Sequence, residues 1–196
     1  SPLIKNKYIT FGSFNNINKI SDDVIDVWSK ILKKTKNSRL ILKSSRAFSH
    51  NSLIEKFKKN KVLDLITILD KKNDFEDHME EYKKIDIALD TFPYNGVTTS
   101  FEAIWMGVPL LTLKGFNANS RAGVSINKNI NMNYFIANNK DEYISKAIEL
   151  SNNFKKVNEA RKYLFNNTLE SNLFNAKKFS KEFFETLDKI NPNYTS

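Results

Sequence analysis

Apolar positions along the chain fall into two alternating rhythms. Short β-rich runs at Tyr8 to Phe11, Arg39 to Lys43, Leu65 to Leu69, Ile85 to Leu89, Val108 to Leu113 and Tyr134 to Ala137 read as strands. Between them the spacing turns helical. Val24, Val27, Trp28 and Ile31 stand at i, i+3, i+4 and i+7 behind Ser21, a residue type that caps helices, with Asp22 and Asp23 at the start and Lys33 and Lys34 at the end. Further helices are predicted from Leu53 to Lys59, from about Asp74 to Lys84 and after Thr98. Such alternation builds right-handed βαβ units, so the expected fold class is α/β, a Rossmann-like parallel sheet with helices on both faces.

From Lys140 onward only helical spacing remains. Tyr143, Ile144, Ala147 and Ile148 form one stripe, and Phe174, Phe179, Phe183, Leu187 and Ile190 form another with Lys177, Lys178 and Lys181 beside it. The second stripe reads first as an ordinary packing face, with docking on a missing domain or on a membrane surface as alternatives. The expected organisation is a Rossmann-like lobe over 1–150 and C-terminal helices over 151–196. The chain opens on Ser1-Pro2 with no initiator Met and no leader, so it reads as a piece of something longer.

Composition narrows the chemistry. Cysteine is absent, which removes disulfides, thiolate metal sites and a Cys nucleophile. Two histidines, His50 and His78, give a metal cage little to build on. Two N-x-T triplets, Asn166-Asn167-Thr168 and Asn193-Tyr194-Thr195, are what chance supplies in so Asn-rich a chain. The net charge of +9 is uneven: residues 1–60 carry +9, 61–110 carry −5 and 111–196 carry +5. Only four of the 31 basic residues are Arg (Arg39, Arg46, Arg121, Arg161), whereas nucleic-acid readers use Arg for bidentate contacts. A solvated Lys-rich surface is the default, and no nucleic acid and no membrane are the expected partners. A basic binding module using residues 1–60 on nucleic acid is the alternative from a different class.

The five glycines, at 12, 96, 107, 115 and 123, allow neither dinucleotide nor P-loop signatures. Ligands of open α/β sheets still bind beyond the carboxyl ends of strands, which directs attention to two loops. Gly12 to Lys19 follows the first strand and precedes the Ser21 helix, where Lys19 could place a point charge on a diphosphate; a polar turn with an exposed Lys is the plain alternative. Asp90 to Glu102 follows the fourth strand. There Asn95-Gly96 turns the chain and Thr98-Thr99 opens a helix whose free N–H groups suit a pyrophosphate. Glu102 is an acceptor-only group suited to a ribose diol, although Thr99-x-x-Glu102 is equally a capping box. His78, on the preceding helix, is a surface or satisfied residue, or a ring that stacks on a base.

Taken together, these loops carry a resemblance. Phe11-Gly12-Ser13-Phe14-Asn15-Asn16 with Lys19, Trp28 and Ile31-Leu32, then Ser38 to Lys43, and above all Asp86 to Gly96 continuing through Thr98, Thr99 and Glu102 to Trp105-Met106-Gly107-Val108-Pro109, resemble the C-terminal half of the O-GlcNAc transferase/SPINDLY glycosyltransferases. Asn119-Ser120-Arg121, Ser125 and Ser171 to Phe174 match further short segments. The resemblance implies the C-terminal, donor-holding lobe of a GT-B enzyme that moves GlcNAc from UDP-GlcNAc to Ser or Thr of proteins. It also implies a missing N-terminal catalytic lobe, tetratricopeptide repeats, a protein acceptor, no required metal or cofactor and a cytoplasmic location; the fragment alone would be inactive. By position, Asn16 and Lys19 would meet the diphosphate, with Lys19 as the catalytic residue that stabilises the leaving group. Asn95 and Gly96 would form the donor loop, Thr98 and Thr99 would serve the phosphates, Glu102 the ribose, and His78 would lie beside the base. The animal enzymes have Lys and Arg three residues either side of that His, where this chain has Phe75 and Glu81; Val97 replaces a His and Glu102 an Asp. The Gly12-Ser13 and Phe92-Pro93-Tyr94 wording is as close to the fucose-transferring SPINDLY branch, so a GDP-fucose lobe is the alternative within the family.

Overall fold

The computed structural model describes residues 1–44 and 51–190. Arg46, His50 and the Asn193-Tyr194-Thr195 triplet lie outside them. Six strands, β1 (Thr10–Ser13), β2 (Arg39–Ser44), β3 (Ile66–Asp70), β4 (Ile87–Leu89), β5 (Leu110–Leu113) and β6 (Ile136–Ala137), form a sheet in the order β3-β2-β1-β4-β5-β6. Every pairing is parallel, with Phe11 opposite Leu40 on one side and Ile87 on the other. Helices pack on both faces, so β1 and β4 are buried along their whole length. Gly12 is required on β1, because a Cβ there would run into the Ile85 side chain.

Helices α1 (Pro2–Asn6) and α2 (Asp22–Lys34) come first. Ser21 Oγ accepts the Val24 N–H at 3.4 Å, and the acidic first turn and basic last turn of α2 complement its dipole. Its apolar face, with Trp28 and Ile31 fully buried, lies against α7 (Lys140–Asn152). α1 went unforeseen: Pro2 opens it and Lys7 ends it in the left-handed region at φ 62°, too short a unit to show a period. The sequence also places α3 (Asn51–Lys59) and α4 (Phe75–Glu80), but the expected helix to Lys84 is broken. Residues Glu81–Lys84 wind into a tighter 3-10 turn that carries Tyr82 inward until it is 2% exposed. α5 (Thr98–Trp105) and α6 (Ala122–Asn129) flank β5.

α8 (Phe154–Asn167) buries Val157 and Leu164, and Arg161 donates from Nη1 to the carbonyls of Ile85 (3.1 Å) and Asp86 (3.3 Å). Phe174 packs on Phe101 and Trp105, with ring centroids 5.9 and 5.1 Å apart. The rest of the expected stripe is not a packing face among the described residues. α9 (Ala176–Ile190) has no buried residue, and Phe179, Phe183, Leu187 and Ile190 are all exposed. No helix among the described residues is long and apolar enough to cross a membrane.

Candidate functional site

The strand order reverses between β1 and β4, and the loops leaving their carboxyl ends part there to leave a crevice. One wall is the β1 loop. Asn16 caps a single 3-10 turn, Ile17–Lys19, by accepting the Asn18 N–H at 3.0 Å. That turn lifts Lys19 across the crevice, where Nζ donates to the Asn95 carbonyl at 2.9 Å and sits 4.2 Å from the centre of the Tyr94 ring. Partial burial lowers the Lys19 pKa and the Asp90 carboxylate opposes that shift.

The opposite wall is the β4 loop, built around Asp90. This fully buried carboxyl accepts the Gly96 N–H at Oδ1 and the Thr112 hydroxyl at Oδ2, both at 2.7 Å. Burial pushes its pKa up to about 7, against the pull of those donors and of Lys19. Asn95, also fully buried, donates to the Thr91 carbonyl at 2.9 Å, which closes the turn. A Cβ on Gly96 would lie 2.6 Å from Asn15 Oδ1 and 2.7 Å from Thr99 Oγ1, so only glycine lets the two walls approach.

Beyond that turn α5 begins without a side-chain cap. The capping-box reading is therefore corrected. Thr99 Oγ1 donates across the crevice to Asn15 Oδ1 at 2.7 Å, and Glu102 points sideways instead of back to the helix start. Thr98 is exposed at the helix mouth. Glu102 Oε2 accepts from Tyr82 Oη at 2.8 Å and lies 3.0 Å from His78 Nε2, while His78 Nδ1 lies 2.6 Å from Lys43 Nζ. His78 is thus tied into the site and is not a free surface residue.

Asn16, Lys43, Lys71, His78, Thr99 and Glu102 are among the residues lining a pocket of about 290 Å³. Lys19, Asn95, Gly96 and Thr98 stand outside that lining, in the adjoining loop pair joined to it through Asn15 and Thr99. Sequence reasoning missed Asn15, Lys43, Tyr82 and Asp90 as site residues. Lys43 had a signal, being next to last on β2, and Asp90 immediately follows β4. Cations together with the N–H groups of a helix mouth suit a phosphate; a carboxylate beside an aromatic ring suits a polyol attached to a flat base. Among the described residues no group of three or more His, Asp or Glu side chains is placed to hold a metal ion.

Comparison with known proteins gives the family and the fold. The chain is 35% identical over 189 residues to a probable UDP-N-acetylglucosamine--peptide N-acetylglucosaminyltransferase SPINDLY of Hordeum vulgare, covering 92% of this chain and 20% of the relative. It is 26% identical over 189 residues to the UDP-N-acetylglucosamine--peptide N-acetylglucosaminyltransferase of Caenorhabditis elegans, covering 96% of this chain and 16% of the other. The chain therefore spans about a fifth of the length of the relatives it matches. Among solved structures, a Thermobaculum terrenum O-GlcNAc transferase mutant superposes with a TM-score of 0.77 at 31% identity, over 82% of this chain and 32% of that one. Anabaena HepE in complex with UDP and glucose, at 14% identity and a TM-score of 0.65 over 93% of this chain and 48% of its own, shares the fold. That fold is the Rossmann-like lobe of GT-B glycosyltransferases. The profile of glycosyl transferase family 41 matches residues 3–183, nearly the whole length, and the chain belongs to that family.

Proposed function

We propose that this chain is the donor-binding lobe of a protein O-linked N-acetylglucosaminyltransferase that moves GlcNAc from UDP-GlcNAc to Ser or Thr of a protein acceptor. The observation that carries the reading is the pocket at the β1/β4 crevice, where Asn16, His78, Thr99 and Glu102 converge from three separate segments, the β1 loop, α4 and α5. The activity named for the relatives supplies the donor and the peptide acceptor.

In this reading the diphosphate lies across the β1/β4 loops, between Asn16, Lys19, the Asn95-Gly96 turn and the α5 mouth with Thr98 and Thr99. The ribose diol meets Glu102 and the base lies against His78. Transfer breaks the bond between the anomeric carbon and the phosphate oxygen and forms one to the acceptor oxygen, which loses its proton. The bonding pair leaves with the diphosphate, and Lys19 and the helix mouth stabilise that growing charge, a task that metal ions perform in other transferases. The general base that takes this proton, the acceptor site and the second lobe are proposed to lie on the rest of a longer protein, with a tetratricopeptide region and a cytoplasmic location. The helices over 151–196 are proposed to brace the lobe over 1–150 through α8 and to meet the rest of the protein through α9.

A second reading, a SPINDLY-like O-fucosyltransferase lobe using GDP-fucose, is favoured by one observation. Identity to the Hordeum SPINDLY protein is 35%, against 26% to the Caenorhabditis transferase. Calorimetric titration with UDP, GDP, UDP-GlcNAc and GDP-fucose decides between them. Saturable binding of the uridine ligands, weakened by Lys19→Ala and Glu102→Ala, supports the first reading, and a guanosine preference supports the second. In the full-length protein Lys19→Ala is expected to lower transfer by about 10²-fold or more; unchanged turnover would remove Lys19 from the mechanism.

A further inference from the structure

His78 has both ring nitrogens engaged, which restricts what it can offer a ligand. Lys43 reaches Nδ1 from the end of β2 at 2.6 Å, and Glu102 faces Nε2 from α5 at 3.0 Å. A lysine ammonium has three donors and no lone pair, whereas an ionised carboxylate only accepts. Lys43 is 6% exposed and its ammonium also stands 5.5 Å from the centre of the Phe14 ring. Burial lowers its pKa, Glu81 and Glu102 oppose that shift, and Lys72 and Lys84 add to it.

We propose that Lys43 is the positioning residue of the donor site, fixing His78 as its Nε2–H tautomer so that the ring donates to Glu102. Three consequences follow from the geometry. The imidazole has no nitrogen left for a ligand and offers only its face, on which a flat base of either kind can stack. Glu102 Oε2 is filled by His78 and Tyr82, which leaves Oε1, with no hydrogen bond among the described residues, to accept from a diol. Base identity must then be read by groups other than the His78 nitrogens. Lys43 thus acts on the ligand through His78, not as a phosphate contact. This rests on the donor-lobe reading for what is bound, but not for the state of the ring.

Two measurements test it. In the protein labelled with 15N-histidine, the signals lost in His78→Phe belong to His78; they should show Nε2 protonated and Nδ1 bare. Lys43→Met keeps the apolar stem and removes the donor, and should shift the Nδ1 signal downfield. A protonated Nδ1 in the wild type, or an Nδ1 signal unmoved in the variant, overturns the proposal even if no nucleotide binds. The second measurement is a double-mutant cycle read by titration with UDP and GDP. Leaving the Nδ1 acceptor unpaired, Lys43→Met should weaken binding about tenfold in the wild-type background and by almost nothing in His78→Phe. An equal loss in both backgrounds would make Lys43 a direct phosphate ligand and overturn the positioning role. Failure of either nucleotide to bind the wild type counts against the donor reading alone, and the ring signals then decide the role of Lys43.

Discussion

Asp90 carries an ionisable group with no exposed surface, in the loop that forms one wall of the crevice. Its pKa is about 7 in the folded chain and ordinarily 3.8, so the folded state holds the proton more tightly than the unfolded state does. The stability contributed by that proton is complete below pH 3.8 and is lost as pH rises through about 7. Asp90→Asn keeps a neutral side chain of the same shape, and the Thr112 hydroxyl can turn to accept from its amide. Relative to the wild type, the variant should therefore gain stability between about pH 4 and pH 8, by at most about 4 kcal/mol. Urea midpoints at both ends of that range check this, and a gap that does not change with pH would refute it. Asp90 also shows where the sequence stops being legible. Asn16, Thr99, His78 and Glu102 could be picked out because each sits in a loop or helix beside a strand end. Asp90 stands there only as the first polar residue of the loop after the fourth strand. Only the approach of Gly96 and Thr112, residues far from one another in the chain, turns it into the centre of a wall.

At the scale of elements, α1 and α6 were not among the predicted helices, whereas the six strands and most helices between them were readable because period 2 and period 3.6 are local properties. Edges were less so: β1 and β4 begin two residues later than their apolar runs. The helix carrying His78 is the instructive case. Its pattern continues to Lys84, yet the hydroxyl of Tyr82 reaches the Thr99 carbonyl at 3.1 Å as well as Glu102, and the last turn tightens to bring it there. A partner on α5 decides the geometry, which no window on the helix itself can reveal. The same Tyr82 hydroxyl, with His78, draws Glu102 away from the box that its spacing with Thr99 suggests. α4 is only six residues long and depends on its cap, the Asp74 carboxylate accepting the Asp77 N–H at 3.0 Å. Asp74→Ala should cost about 1 kcal/mol, a drop of about 2–4 °C in thermal midpoint for a chain of this size. Because the frayed turn is the one holding His78, nucleotide affinity should fall with it; an intact midpoint would show that the cap is not needed.

Across the whole molecule, burial is sharply divided. The core runs from Leu3 through the sheet to Leu164, and α9 adds nothing to it. A chain ending at Asn175 should therefore melt within about 2 °C of the parent, since loss of solvent-facing residues usually changes stability by less than about 0.5 kcal/mol. It should also bind less of a dye that reports exposed apolar surface, because Phe179, Phe183 and Phe184 go with the helix. A larger fall in midpoint would place α9 against the lobe. The sequence showed the amphipathic stripe but not its vacancy, because periodicity marks a face without saying what meets it. The crevice has the opposite character, since the contacts that join its two walls come from afar. Asn15 and Thr99, which fasten its two walls together, are 84 residues apart. Joining them closes a long loop and costs entropy that no local contact repays in advance. Chain collapse and the first βα units can therefore form with the crevice still open, and a refolding molecule becomes able to hold a nucleotide only when β4 has docked beside β1. Ligand capture would time that last event, and any ligand spanning both walls would hold the halves of the sheet together by mass action.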